Sequence, residues 1–336
     1  MEKVRKVLMV VFTIISCLLV LIALLSTLYN NTSIWWVKIT NFPRQQLFLL
    51  GCILLLLQPI IIKKWSRNVW LLALAILLTL VIHGSFIVPY TPLTKTEVKS
   101  HIQKSVRQEE KVALLIANVY MKNRNAEGLF RIINRVNPDV IFLVETDKWW
   151  QQAMQPLRKD YPYAVEYPLN NTYGLLLYSK YRLLEPKVLF LEKPTVPSVQ
   201  AKVELPNKRV FIFYGIHPVP PVPSDLYPDN IGEKTDELSK LAQKIKQEQL
   251  PAIVAGDFND VAWSETSRLF SKDSKLKDVR TGRGPFNSFN AKSLIFRWPL
   301  DHIFVDSQFN LISLSRLDKF GSDHFPVFVE LVLLQN

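Results

Sequence analysis

The chain has 336 residues, 49% of them hydrophobic and 21% charged, with a formal net charge of +12 and only two cysteines. That composition is too apolar for a disordered chain and too poor in cysteine for a disulfide scaffold or a thiolate metal site. The charge is also uneven: residues 1–90 hold eight Lys or Arg against one acidic residue, a net of +7, which leaves +5 for residues 91–336. The basicity is therefore mostly concentrated around apolar segments and is no nucleic-acid footprint, while the remainder favours anionic ligands in general.

Three apolar stretches open the chain: about 7–28, 47–62 and 69–88. Each is long enough to be read as a transmembrane helix, and the first exceeds the apolar core of a signal peptide. Lys3, Arg5 and Lys6 precede the first span, and Lys63, Lys64 and Arg67 fill the turn between the second and third. The loop between the first two carries only Lys38 and Arg44 beside Trp35 and Trp36. Positive charge stays on the cytoplasmic side, so the expected topology is N-terminus inside and everything after Pro89 outside the cytoplasm. His83 lies within the third span without an acidic partner there, which favours a helix–helix hydrogen bond. Cys17 and Cys52 both fall inside spans.

Residues 91–111 are polar and charged, as expected of a tether or a short exposed helix. From there, strands predicted at 112–119 and 139–145 flank a helix capped by Asn125, with Leu129, Ile132, Ile133 and Val136 on its apolar face. Strands at 174–179, 186–190, 199–204 and 209–216 follow with little helix between them. A polar helix at 233–248, a strand at 252–256, a helix near 263–270 and strands at 302–305 and 325–333 complete the chain. Helices at both ends and a meander between them predict an α/β (α+β) fold, two packed mixed sheets covered by helices, over residues 112–336.

Several predicted strands end on polar residues able to bind metal or phosphate: Asn118, Glu145, His217, and Asp257 with Asn259. Ligands gather outside the carboxyl ends of strands in layered α/β proteins, so these endings outline one site. Glu145 is the best single metal ligand, with Asn118 beside it; the alternative is a strand-end carboxylate paired with Lys148. Asp257 and Asn259, two residues apart, share a face in extended geometry, so one can activate a water and the other donate to a phosphoryl oxygen. The alternative is a plain Asp-containing turn. His217 and His324 are candidates for contacting the phosphate. Trp149 and Trp150 read as one core and one half-exposed ring, and the proline run 217–223 as a stiff cleft wall.

The motifs ANVY, VET, GIHP, GDFND, LDHIF and GSDHFP, in this order from Val112 to Val332, resemble the metal-dependent endonuclease/exonuclease/phosphatase superfamily, which includes DNase I-like nucleases, neutral sphingomyelinases and inositol-polyphosphate phosphatases. The three spans, HPVPP and GDFNDVAWS look like a membrane-anchored bacterial branch. The resemblance implies a DNase I-like four-layer sandwich and Mg²⁺- or Mn²⁺-dependent hydrolysis of a phosphodiester or phosphomonoester by an in-line water. It implies metal ligation by Asn118, Glu145 and Asp323, and catalysis by His217, Asp257, Asn259, Asp301 and His324, with Asp301 orienting His324 and His302 structural. Tyr173, His217 and Asn259 would contact substrate, with Tyr163 and Tyr167 competing for the tyrosine role. Val119-Tyr120 stands where some family nucleases have an acidic residue, which leaves one metal or two open.

The expected partners are the bilayer and a phosphoester, whether phospholipid head group, nucleotide or nucleic acid, with no obligate protein partner evident. A catalytically silent phosphate-binding module is the competing reading, and a three-helix transporter a weaker one, since the spans hold no charged pathway. Specificity is expected on loops 160–173, 218–232 and 280–299.

Overall fold

The structure is a computed structural model that describes residues 2–29, 34–101, 107–223 and 236–334. It opens with α1 (Glu2–Leu28), a short α2 (Trp35–Lys38), α3 (Arg44–Ile61) and α4 (Arg67–Ile87). Three helices, Lys3–Leu28, Arg44–Ile61 and Arg67–Tyr90, are long and apolar enough to cross a membrane. They pack on one another through Phe12, Leu19, Leu54 and Ile76, while Leu18, Leu56 and Val81 stay exposed along their length. Their ends are joined by hydrogen bonds. Arg5 Nε donates to Ile61 O at 3.1 Å at one end. At the other, the buried Arg44 guanidinium donates to Ser26 O at 2.7 Å and Asn41 Oδ1 at 2.6 Å, and lies 3.4 Å from His83 Nδ1. The helix–helix bond expected of His83 is therefore made to an arginine.

The following elements are β1 (Lys111–Asn118), α5 (Ala126–Val136), β2 (Val140–Val144), α6 (Lys148–Ala153), β3 (Tyr163–Tyr167), β4 (Leu175–Ser179), β5 (Arg182–Leu189), β6 (Ser198–Glu204) and β7 (Val210–Ile216). Then come α7 (Glu237–Lys246), β8 (Ala252–Asp257), α8 (Glu265–Ser274), β9 (Lys277–Asp278), β10 (Asp301–Val305), β11 (Phe309–Arg316) and β12 (Val327–Leu333). They form two six-stranded mixed sheets, ordered β11-β12-β1-β2-β4-β3 and β5-β6-β7-β8-β10-β9.

Strand alternation generates the four layers. In β1, Val112, Leu114 and Ile116 enter the core between the sheets, with Phe142, Phe213, Ile253 and Ile303. Leu115 and Ala117 point the other way, onto Leu129, Ile132 and Ile133 of α5 and onto Trp150 of α6. On the opposite outer face, Tyr214 and Val254 meet Leu238 and Leu241 of α7 and Phe270 of α8. Asn125 caps α5 as expected, its Oδ1 accepting from Gly128 N at 2.9 Å. Trp150 is buried and Trp149 is 37% exposed, as read from the sequence.

Two stretches expected to be loop or tether differ. Tyr163–Tyr167, inside the presumed loop 160–173, is an edge strand on β4. Residues 98–101 of the presumed tether lie on the second edge strand: Leu311 N donates to Lys99 O and His101 N to Leu311 O, both at 2.8 Å, and Val98 enters the core. The open backbone groups of β11 account for this, because an unpaired edge recruits whatever chain runs past it. The expected tether residues 102–106, the start of the helix at 233–235 and most of loop 218–232 lie outside the described residues.

The membrane-type helices do not hang free of the sandwich. Trp263 Nε1 donates to Asn41 O at 2.7 Å and Tyr90 Oη to Ala262 O at 2.6 Å. Lys38 Nζ stands 3.1 Å from Asp260 Oδ2, both side chains nearly buried. Phe42, Tyr90, Val261, Trp263 and Leu300 form one apolar cluster there.

Candidate active site

The polar strand endings meet at one end of the sandwich, where β1 and β2 bring Asn118 and Glu145 from one sheet and β7, β8 and β10 bring His217, Asp257 and Asp301 from the other. Parallel pairing sets Asn118 opposite Val144, directly before Glu145. Antiparallel pairing sets Asp301 directly opposite Asp257. The two sheets are linked here by Asn118, whose Nδ2 donates to Glu145 Oε1 at 2.8 Å and to Asp257 Oδ2 at 3.0 Å.

Two like charges opposite each other in a ladder repel, and His324 resolves that conflict. Its Nδ1 lies 2.8 Å from Asp301 Oδ2 and its Nε2 3.4 Å from Asp257 Oδ2. Burial opposes an imidazolium at this position, but Asp257 and Asp301 outweigh it and hold the His324 pKa up at about 10. The segment carrying His324 is anchored by Ser322, whose hydroxyl donates to Asn118 O at 2.7 Å and accepts from His324 N at 3.0 Å. Ser322 had no role in the sequence reading; its place in GSDHFP, two residues before the histidine, was the available signal.

His217 Nε2 lies 3.8 Å from Asp257 Oδ2. Burial lowers its pKa, with Asp257 pulling the other way, so this ring is the neutral one of the pair. Burial raises the carboxyl of Asp257, and His324 opposes that rise. Among the three candidate tyrosines, Tyr173 is buried with its ring centroid 5.6 Å from that of His217. Tyr163 and Tyr167 lie on the edge strand β3, and Tyr167 packs on Phe190.

Asn259 departs from the expected extended geometry. Its φ of 53° turns the chain, its N–H donates to Asp257 Oδ1 at 2.9 Å, and its Nδ2 donates to Pro218 O at 2.8 Å. An Asx turn has replaced the extended strand, so Asp257 and Asn259 do not simply share a face. The amide ties the β8 turn to the segment after His217 and keeps a second N–H to offer. His302 is structural, as expected. It stacks on Phe258 at 4.5 Å, receives Arg280 Nη2 on Nδ1 at 2.8 Å, and so donates Nε2–H to Asp260 O at 2.8 Å.

Glu145 has a φ of 59°, a left-handed conformation costly for a residue with a side chain. Its carboxylate accepts from Asn118 Nδ2 and, at 3.3 Å, from Met121 N. Lys148, the alternative partner, begins α6 instead. Burial pushes the Glu145 pKa up to about 7, and Asp323 and Asp257 add to the rise. Asp323 Oδ1 is itself buried and has no hydrogen-bond donor among the described residues. These carboxylate oxygens fit a hard divalent cation. Asn118 fits less directly: its Oδ1 accepts Tyr120 N–H at 2.9 Å and its amino group faces the carboxylates. Asp257, Asp301 and His324 also place three potential ligand atoms within 4.8 Å. These two carboxylates favour the charged form of the His324 ring, however, and an imidazole must be neutral to bind a metal, so the trio as it stands does not fit a metal ion.

Comparison with known proteins agrees with this geometry. Residues 115–324 match the family model described as Endonuclease/Exonuclease/phosphatase family. Among solved structures, the human Nocturnin catalytic domain with bound sulfate superposes with a TM-score of 0.52 at 18% identity, covering 67% of this chain and 96% of that one. D. rerio TDP2 complexed with a single-strand DNA product gives 0.52 at 16%, covering 66% and 98%. The mannosyl-6-phosphatase Bt3783 of Bacteroides thetaiotaomicron gives 0.50 at 17%, covering 66% and 99%. At these identities the likeness is one of fold. A curated UPF0294 protein of Vibrio campbellii is 28% identical over 136 residues, 40% of this chain, and the chain spans only 45% of that relative's length. With its two helix-flanked sheets and with Asn118, Glu145, His217, Asp257, Asp301 and His324 converging at the strand ends, the chain belongs to the Endonuclease/Exonuclease/phosphatase family.

Proposed function

We propose that the protein is a membrane-anchored phosphoesterase, dependent on Mg²⁺ or Mn²⁺, that cleaves a phosphodiester or phosphomonoester outside the cytoplasm. One observation carries this reading: Asp257 Oδ2 is the meeting point of Asn118 Nδ2, His324 Nε2 and His217 Nε2, at 3.0, 3.4 and 3.8 Å. A carboxylate so placed can take the proton from a water as that water's oxygen forms its bond to phosphorus and the ester oxygen leaves. The His324 charge, fixed by Asp301, faces the negative charge that builds on the phosphoryl oxygens. His217 and the second N–H of Asn259 supply hydrogen bonds, and Tyr173 holds the His217 ring. Glu145 and Asp323 would hold the divalent cation, which when bound neutralises phosphoryl charge. Relatives of the fold whose names speak of a DNA product or of a phosphatase support phosphoester chemistry and leave the ester open.

Three apolar helices and the basic residues Lys3, Arg5, Lys6, Lys63 and Lys64 at their shared end support the membrane placement. The proposed surroundings are a bacterial inner membrane, with the lipid bilayer as the partner and no protein partner required. The test is turnover of a soluble phosphodiester and a phosphomonoester by the full-length protein in detergent with Mg²⁺ or Mn²⁺, beside Asp257→Ala. Metal-dependent turnover lost in Asp257→Ala is the expected result; no turnover, with wild type and variant alike, overturns the reading in favour of a silent phosphate-binding module. Membrane-impermeant labelling of Glu127→Cys in intact cells tests the side, and absence of labelling would put the domain in the cytoplasm.

A further inference from the structure

The loop between β9 and β10 leaves three consecutive apolar side chains in the open: Leu294 is 88% exposed, Ile295 69% and Phe296 57%. A contiguous exposed apolar tip on an otherwise well-packed domain marks a contact surface. Its position identifies the surface. Gln46, in the first turn of α3, donates from Nε2 to Ile295 O at 2.8 Å and to Arg297 O at 3.4 Å. The tip is thereby held level with the entry of a helix long and apolar enough to cross a membrane. Gln45 holds the same loop from the neighbouring position, its Oε1 accepting from Asn287 Nδ2 at 2.9 Å.

The base of the loop reaches the catalytic histidine. Phe289 and Trp298 pair through their backbones and stack at 6.0 Å, and the Phe289 ring lies 4.9 Å from the His324 ring. Trp298 also meets Phe42, which precedes α3, edge-on at 5.8 Å. Ala291 N donates to Asp323 O at 2.7 Å. Flanking the tip, the guanidinium groups of Arg297 and Arg316 lie 5.0 and 4.4 Å from the centroid of the Phe325 ring, next in sequence to His324. Their hydrogen bonds run to the carbonyls of Ser293 and Asn287, and among the described residues neither is ion-paired with a carboxylate. Apolar side chains at the tip and cations beside it form the pattern of an element that sits in the head-group region of a bilayer.

We propose that residues 291–297 form a tip that inserts into the leaflet on the catalytic domain's side, so that the substrate is the phosphoester head group of a lipid in that same leaflet. The substrate assignment rests on the phosphoesterase reading; the insertion does not. Arg297 and Arg316 draw the anionic head group toward His324, while the acyl chains stay in the bilayer beside α3.

The experiment uses full-length protein in nanodiscs of phosphatidylethanolamine and phosphatidylglycerol. In a Cys17→Ser/Cys52→Ser background, Leu294→Cys carries an environment-sensitive fluorophore. Quenching by lipid-borne quenchers, with protection from aqueous iodide, is the expected result; quenching by iodide alone overturns the insertion. In parallel, turnover of the nanodisc phospholipids is compared with that of the deacylated glycerophosphodiesters. The bilayer lipid is expected to be the better substrate, and Leu294→Ser/Ile295→Ser/Phe296→Ser to lose on the order of tenfold in lipid turnover. Deacylated esters turned over as fast as the lipid overturn the substrate assignment and leave the phosphoesterase reading standing. Failure of every ester, soluble or lipid, with Asp257→Ala indistinguishable from wild type, removes both.

Discussion

Asp257 and Asp301 stand directly opposite each other on neighbouring antiparallel strands, and the ring of His324 is hydrogen-bonded to Asp301 on one side and ion-paired with Asp257 on the other. One imidazolium thus reconciles two buried carboxylates. Replacing Asp301 by Asn keeps the shape but removes the charge on Nδ1. We expect Asp301→Asn to lower phosphoester turnover by roughly 10²- to 10⁴-fold. The His324 titration, followed by NMR, should move down from about 10. An unmoved titration with unchanged turnover would show that Asp301 is only structural.

Glu145 gives the proposed metal site a pH signature. Its folded pKa of about 7 lies above the ordinary 4.5. Its protonation therefore favours the metal-free fold fully below about pH 4.5, and that contribution is lost as pH rises through 7. The gap in thermal stability between wild type and Glu145→Gln should widen to the disadvantage of wild type between these values, and added Mg²⁺ should close it. Cation binding near pH 7 should release protons, measurable by calorimetry in buffers of different ionisation heat. A cation affinity that is flat from pH 5 to 8 would contradict the role given to Glu145.

Lys38 and Asp260 join the loop between the membrane-type helices to the turn just past Asp257. Breaking a buried pair from one side strands the other charge, at a cost of about 3–5 kcal/mol. Lys38→Met should therefore destabilise the full-length protein to chemical denaturation in detergent, and Lys38→Met/Asp260→Asn should recover part of the loss. Deleting residues 1–90 should do worse, because Trp263 loses its acceptor at Asn41 and the Val261–Trp263 cluster loses Phe42 and Tyr90. Such a fragment is expected to aggregate unless that face is made polar, which size-exclusion chromatography would show.

Gly256, directly ahead of Asp257, has a φ of +148°, and a Cβ there would fall 1.9 Å from Ile216 O. That carbonyl belongs to β7, the strand delivering His217, so no flexible side chain can give way. Gly256→Ala should part β7 from β8 and abolish both folding yield and turnover. A well-folded, active variant would mean that the pairing is looser than the geometry requires.

The layered fold was readable because the alternation of Val112, Leu114 and Ile116 against Leu115 and Ala117 writes two buried faces directly into β1. Asn118, Glu145, His217 and Asp257 were readable as candidates because each ends a strand or directly follows one. What escaped notice lay at edges and turns. Tyr163–Tyr167 and Phe309–Arg316 are edge strands, half-exposed along most of their length, so their apolar signal is diluted. The turn at Asn259 could not be told from continued strand, since local hydrogen bonds to Asp257 and Pro218 decide it. Docking of 35–46 on Asp260 and Trp263 is a long-range contact, and Lys38 alone looked like a loop charge. The apolar run Leu294–Phe296 passed for ordinary loop sequence because only its neighbours Gln46 and Phe289 give it a place.

The first and last strands of the sandwich, β1 and β12, lie side by side at its centre, paired from Lys111 with Val332 to Ile116 with Val327. The ribosome must therefore make Val327–Leu333 before this ladder can close, long after Lys111–Asn118 has left it. Until then β1 and β11 lack the strand that joins them, so the unfinished domain is exposed to proteases and to neighbouring chains, and a stop codon before Val327 would leave it without β12.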